Sequence, residues 1–226
     1  MNSLHIRFEG FTASFRHPLS ISGTKVTTLP AYSTLLGLIS ACAGRVLTPD
    51  ETRIGFEFNC TSLNVEMERT NRLQLQRGQL RPHTEGQGIS TRQVYLDPRL
   101  DLYVTNCALQ SAFERPTATP CFGQSQDIAW ITEVKRIELT PVEEGNVGPT
   151  LLPYPQQGVA GLIVTLPEWF ENDVRGRTRL VGPLGKYEAI LPFTSTRYYI
   201  KRENLFHPSD TTAHDDAIYL HEWSTG

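Results

Sequence analysis

Five arginines, Arg69, Arg72, Arg77, Arg81 and Arg92, fall within residues 69–92 beside one acid, Glu85, a local balance of +4. A guanidinium offers forked donors that match a phosphate and a flat face that stacks on a base, so this spacing points to nucleic-acid chemistry. A second basic tract, residues 175–202, holds seven basic side chains against Glu188, whereas residues 203–226 hold five acids and neither lysine nor arginine. Seventeen of the 21 basic residues are arginine and four are lysine. The formal charge of −3 and pI near 6.1 therefore argue against a protein that coats polyanions, and still leave a local grip on phosphates open.

Other side chains offer weaker chemistry. Ser33 and Thr34 stand at the start of an apolar-periodic segment, where backbone N–H groups and two hydroxyls make a phosphate site or a simple cap. Tyr32, His17 and His83 are the groups suited to general acid–base cleavage of RNA, but they do not cluster in the sequence. His214-Asp215-Asp216 with His221 has ligand types for a divalent metal, yet lies among Ser, Thr and Gly near the end and reads better as a frayed acidic tail. Cys42, Cys60, Cys107 and Cys121 form no C-x-x-C pair and read as free thiols, and no metal or cofactor is expected. Nucleophile-elbow, Walker and dinucleotide glycine patterns are absent.

The elements that must hold these groups follow from periodicity. Leu4, Ile6 and Phe8 alternate with polar neighbours as a half-buried strand. Leu35, Leu38, Ile39 and Cys42 recur at helical spacing, with Ser33 as expected N-cap and Gly44 as the closing residue. Leu63–Met67 and Leu100–Val104 read as strands facing one core, Cys107–Glu114 as a short helix ended by Pro116, and Ile131–Leu139 as a further strand. Residues 68–92 carry too few apolar side chains for a core, yet 72–77 still alternates, which predicts a long projecting hairpin. Leu162–Leu166, Tyr187–Leu191 and Tyr198–Ile200 read as later strands and Glu168–Asn172 as a helical turn.

The expected architecture is α+β: a ferredoxin-like β-α-β-β-α-β domain over residues 1–140 with the insert at 68–92, then a small mainly-β extension over 141–226 ending in the acidic tail. A chain of 226 residues buries roughly 70% of its unfolded surface and needs no staple. No apolar run approaches the ~20 residues of a membrane span and the N-terminus reads unlike a signal peptide, so a cytoplasmic protein is expected.

Two stretches resemble a known family. Phe11-Thr-Ala-Ser-Phe-Arg16-His-Pro18 followed by Pro30 to Gly44, and Arg115-Pro116 followed by Pro120-Cys-Phe-Gly123-Gln-Ser125-Gln-Asp-Ile-Ala129, are similar to the CRISPR-associated Cas-five family, a branch of the RAMP superfamily. Gln124 departs from the pattern, standing where that family's stretch has arginine. The resemblance implies a modified RRM-like domain with a hairpin thumb, in a non-catalytic subunit of a type I interference complex (Cascade), most similar to type I-B members. Such subunits grip the 5′ handle of the CRISPR RNA, cap a backbone of Cas-seven subunits, and touch the large Cas-eight-type subunit beside target DNA near the protospacer-adjacent motif.

On that basis the expected RNA contacts are Arg16, Ser33, Thr34, Arg69, Arg72, Arg77, Arg81 and Arg92, with Phe122, Gly123, Gln124 and Ser125 adjoining. Unstacked bases and exposed phosphates of a single strand suit such a set. The alternatives are a metal-independent endoribonuclease of the type I-C kind and an RRM-like RNA-binding module unrelated to CRISPR.

Overall fold

The computed structural model describes residues 1–17, 27, 29–172, 179–193 and 197–224; Pro18, Arg175 and Arg177 lie outside them. In chain order the elements are β1 (Asn2–Gly10), β2 (Thr12–Ala13), α1 (Tyr32–Ala43), β3 (Ile54–Asn59), β4 (Ser62–Gln76), β5 (Gln79–Leu96), β6 (Arg99–Val104), α2 (Gln110–Glu114), β7 (Ala129–Val147), β8 (Leu151–Pro153), β9 (Leu162–Pro167), β10 (Phe170–Asn172), β11 (Arg179–Val181), β12 (Leu184–Ala189), β13 (Tyr198–Pro208) and β14 (Ile218–Tyr219). The fold is mixed α+β and mostly sheet. No helix among the described residues is long and apolar enough to cross a membrane.

A six-stranded antiparallel sheet, ordered β14-β13-β7-β1-β6-β3, forms the body. Leu4, Ile6 and Phe8 lie opposite Val104, Leu102 and Leu100, and these in turn oppose Ile54, Phe56 and Phe58. All nine are buried against Leu35, Ile39 and Cys42 of α1 and Phe113 of α2, so one face of the sheet holds the core. The period of two then commits the odd positions of β1, His5, Arg7 and Glu9, to the other face. Strand β7 pairs with β1 over its first half and with β13 over its second, running through residue 140 and adding β13 and β14 to the same sheet. Smaller sheets β8-β12-β9 and β10-β11 pack beside it.

Several expectations need correction. The strand that follows α1 in the body is Ile54–Asn59, whereas Val65 and Met67 stand exposed on the hairpin and face no core. Residues 170–172 are a strand paired with 179–181, not a helical turn, because they continue a hairpin after Pro167. Ala31, not Ser33, caps α1, with no side-chain bond to the helix, while Gly44 does close it at φ 68°. The acidic tail is not frayed: residues 217–221 are buried, Arg53 donates to the Leu220 carbonyl at 3.0 Å and Ser224 Oγ to buried Glu168 at 2.7 Å. All four cysteines are free.

On the second face of the sheet a charge network replaces solvent. His5 bridges Asp210 (2.6 Å) and Asp101 (2.9 Å), Arg7 and Arg99 also pair with Asp101, and Arg197 pairs with Glu57 and Asp216. Burial alone would depress the His5 imidazolium, but hydrogen bonds to Asp101 and Asp210, with their charges, outweigh it and raise its pKa to about 9. That interaction stabilises the fold fully below the ordinary imidazole value of 6.5 and is lost as pH rises through about 9. The unfolding free energy should therefore fall from pH about 6 to pH about 10 by on the order of 2 kcal/mol in denaturant titrations, and His5→Gln should flatten that difference.

Candidate nucleic-acid interface

Strands β4 and β5 make the long hairpin that the arginine-rich stretch predicts, but it is longer than residues 68–92, paired from Ser62 with Leu96 to Gln76 with Gln79. Arg77 and Gly78 close it with φ of 50° and 78°, two successive left-handed residues of the kind that match strand twist in a two-residue turn. Its register separates the tip into two faces, Leu73, Leu75, Leu80 and Pro82 on one and Gln74, Gln76, Gln79 and Arg81 on the other. Leu75, Leu80 and Met67 are 71%, 71% and 80% exposed, so neither face belongs to a core. Between Asn71 and Leu73 the register jumps: Arg72 alone stands opposite His83–Gly86, with Gly86 at positive φ. Arg69, Arg72, Arg77 and Arg81 are exposed along this ribbon.

Arg92 differs. Only 13% of its side chain is exposed, and it donates to Asp127 at 3.3 Å and Glu66 at 3.2 Å. Asp127 is fully buried and also accepts the Thr12 hydroxyl at 2.7 Å. The Ser14 hydroxyl donates to the Gln93 carbonyl (3.0 Å) and the Ser14 N–H to the Phe122 carbonyl (3.0 Å). One acid thus ties together the hairpin root, the segment leading to Arg16, and the 122–127 loop. The alternation that revealed the hairpin carried no sign of Asp127, a single acid after Gly123-Gln-Ser-Gln.

The remaining sequence candidates divide. Gly123, Gln124 and Ser125 form the outer turn of the same loop, closed by Phe122 N–H to the Asp127 carbonyl and Asp127 N–H to the Gln124 carbonyl. Gly123 sits at φ 105°, and a Cβ there would lie 2.1 Å from the Ser14 carbonyl oxygen. Phe122 is 1% exposed against Phe8, Phe15 and Phe58, so its ring is core and does not meet a base. Arg16 is exposed. Ser33 is 7% exposed and its hydroxyl has no partner among the described residues, and the Thr34 N–H is taken by the Ala31 carbonyl, so the α1 start is largely covered by the fold.

The weaker chemistries are not assembled. Tyr32 is buried with its hydroxyl on the Leu151 carbonyl, and burial pushes its pKa well above the ordinary value. His83 is on the hairpin. His214 is exposed, Asp216 pairs with Arg197 and His221 is buried against Tyr32, so these tail residues share no centre. The groove of about 220 Å³ at His5, Arg7, Asp101 and Asp210 is lined by positive and negative groups already paired with each other.

No family model and no curated protein matches the sequence. Among solved structures, a chain of a "CRISPR RNA-guided surveillance complex" matches with a TM-score of 0.53 and 14% identity over 88% of this chain and 91% of that one. A CRISPR protein from Archaeoglobus fulgidus follows at 0.49 and 10% identity, covering 98% and 100%, and a chain of a "Type III-B Cmr-beta" complex bound to cognate target RNA at 0.49 and 10%, covering 89% and 86%. The chain therefore has the fold of a protein found in an RNA-guided CRISPR complex.

Removing the acid at the centre of this interface should expose its role. Asp127→Ala leaves Arg92 a mostly buried cation whose remaining acidic partner is the half-exposed Glu66 at 3.2 Å, and should lower stability by about 3 kcal/mol in urea unfolding. Adding Arg92→Leu to that variant should recover part of the loss, since no stripped cation then remains.

Proposed function

We propose that this chain is a non-catalytic RNA-binding subunit of a type I CRISPR effector complex, holding the 5′ handle of the CRISPR RNA through its arginine hairpin. The hairpin carries the reading: four exposed arginines project on a ribbon that has no core of its own, held rigidly at its root by Asp127. Phosphates of a single strand take guanidinium forks, and the exposed turn at Gly123–Ser125 and Arg16 adjoins the hairpin root on the same tie.

In this reading the body is the RRM-like, ferredoxin-like domain of the Cas-five family. The succession strand, helix, strand, strand, helix, strand with spatial order β7-β1-β6-β3 supports it, as does the fold shared with the surveillance-complex chain. The exposed apolar side chains of the hairpin, Val65, Met67, Leu73, Leu75, Leu80 and Ile89, suit protein neighbours as well as RNA. We assign those neighbours to Cas-seven backbone subunits and a Cas-eight-type large subunit, with target DNA near the protospacer-adjacent motif beyond it. The buried Tyr32 hydroxyl speaks against the endoribonuclease alternative, because a group that activates a 2′-OH must reach it.

With four phosphates neutralised, log K for a handle RNA should fall with log salt at a slope of about −2.8. Replacing Arg69, Arg72, Arg77 and Arg81 together by glutamate should abolish RNA binding and co-purification with the other subunits. Unchanged binding and assembly would overturn the assignment.

A further inference from the structure

We propose that the second face of the central sheet carries a nucleobase-stacking site, built on Phe11 and Trp130, that takes an unpaired base bearing an exocyclic amino group. This rests on the reading of the chain as a single-strand RNA binder, and places a base contact where that reading placed none.

Phe11 is 75% exposed and Trp130 38%, whereas Phe8, Phe15, Phe58, Phe113 and Phe122 are all buried. The two rings touch, with centroids 5.0 Å apart and planes inclined by 60°. Leaving two large rings in water forgoes the apolar burial that the rest of the body obtains. Neither ring is a stray on a loose loop. The Phe11 carbonyl accepts the Asp97 N–H at 3.1 Å, which fixes the bend between β1 and β2, and Trp130 lies in β7 directly opposite Glu9. The exposed apolar surface is therefore presented in one orientation.

Beside the rings is a groove of about 520 Å³, whose polar lining includes Glu9, Asn59, Asp97 and Arg99. Its chemistry selects the ligand. With Arg99 paired to Asp101, the two carboxylates repel a phosphate, yet accept hydrogen bonds from the amino groups of adenine, cytosine or guanine; uracil has no amino group and offers only its ring N3–H. An aromatic face beside acceptors is thus suited to a base and unsuited to a backbone. The position fits as well: Thr61 donates to Asp97 at 3.0 Å just below the first pair of the hairpin, so the groove opens where the arginine ribbon leaves the body. A strand whose phosphates follow the ribbon brings an unstacked base to the rings at its root.

Short single-stranded oligo-A, oligo-C and oligo-U of equal length, as RNA and as DNA, should be titrated against the full chain and against Phe11→Ala/Trp130→Ala, Trp130→Phe and the four-arginine glutamate variant. The double alanine variant should lose about tenfold in affinity for oligo-A and oligo-C, the size expected for one lost base stack, with an unchanged salt slope because no phosphate contact is removed. Oligo-U should bind the native chain more weakly and be little affected, and Trp130→Phe should retain most of the affinity. Equal loss in the RNA and DNA series would assign the site to the base alone; loss confined to RNA would add a sugar contact to it.

Full affinity in the double alanine variant, with the arginine variant inactive, would overturn the stacking site and keep the RNA reading. Absence of binding by the native chain to every oligonucleotide would overturn both. A double variant that binds RNA normally but no longer co-purifies with other complex subunits would make this face a protein interface and overturn the proposal.

Discussion

The carboxylate of Asp127 is the constraint on which the candidate interface depends. An acid with no exposed surface is tolerated only when its charge is met, and here Arg92 and Thr12 meet it from two different elements. Both partners are anchored by that need, Arg92 in the lower hairpin and Thr12 in the short strand beside it. The backbone bonds from Ser14 to Phe122 and from Phe122 to Asp127 then close the loop on the same point. A two-stranded ribbon is marginal by itself in water. Its definition comes from the root, where Val94 and Tyr95 enter the core and β2 adds a third strand for two residues.

The distribution of charge differs between the sheet body and the hairpin. On the part of the second sheet face around His5, Asp101 and Arg197, acids and bases are interleaved and satisfied internally, so that part holds the C-terminal segment to the sheet and offers little to a phosphate. The hairpin instead carries five arginines against three acids, Glu66, Glu68 and Glu85, along a ribbon otherwise mostly of apolar, amide and hydroxyl side chains. An average charge of −3 conceals this excess because most of the chain's acids lie in other elements.

Sequence periodicity made the central parts of the fold legible. Leu4, Ile6 and Phe8, the α1 spacing and Gly44 report local geometry directly, and the sparse apolar content of 68–92 reported a hairpin without a core. It misplaced the strand after α1 because Leu63–Met67 alternates as clearly as Ile54–Asn59 does. Alternation states that side chains point two ways, not that one of those ways is covered. Ser33 was attractive as a cap because hydroxyls favour helix starts, but the chain begins the helix two residues earlier and buries that hydroxyl. Arg92 and Asp127 were hidden for another reason: their pairing joins residues 35 apart, a relation that no local pattern encodes. The same holds for His5, whose partners come from β6 and from the far end of the chain.

Strand β4 lies at the end of its three-stranded sheet order, so its outer side faces no further strand of that sheet. A row of backbone donors and acceptors beside bare aliphatic side chains is a template onto which a foreign strand can add. The register jump at Arg72 limits this, since it interrupts the ladder between the pairs from Ser62 to Asn71 and those from Leu73 to Gln76. Such a bulge bends the ribbon locally, so the hairpin does not offer a second molecule one continuous straight edge from which fibrous stacking could grow.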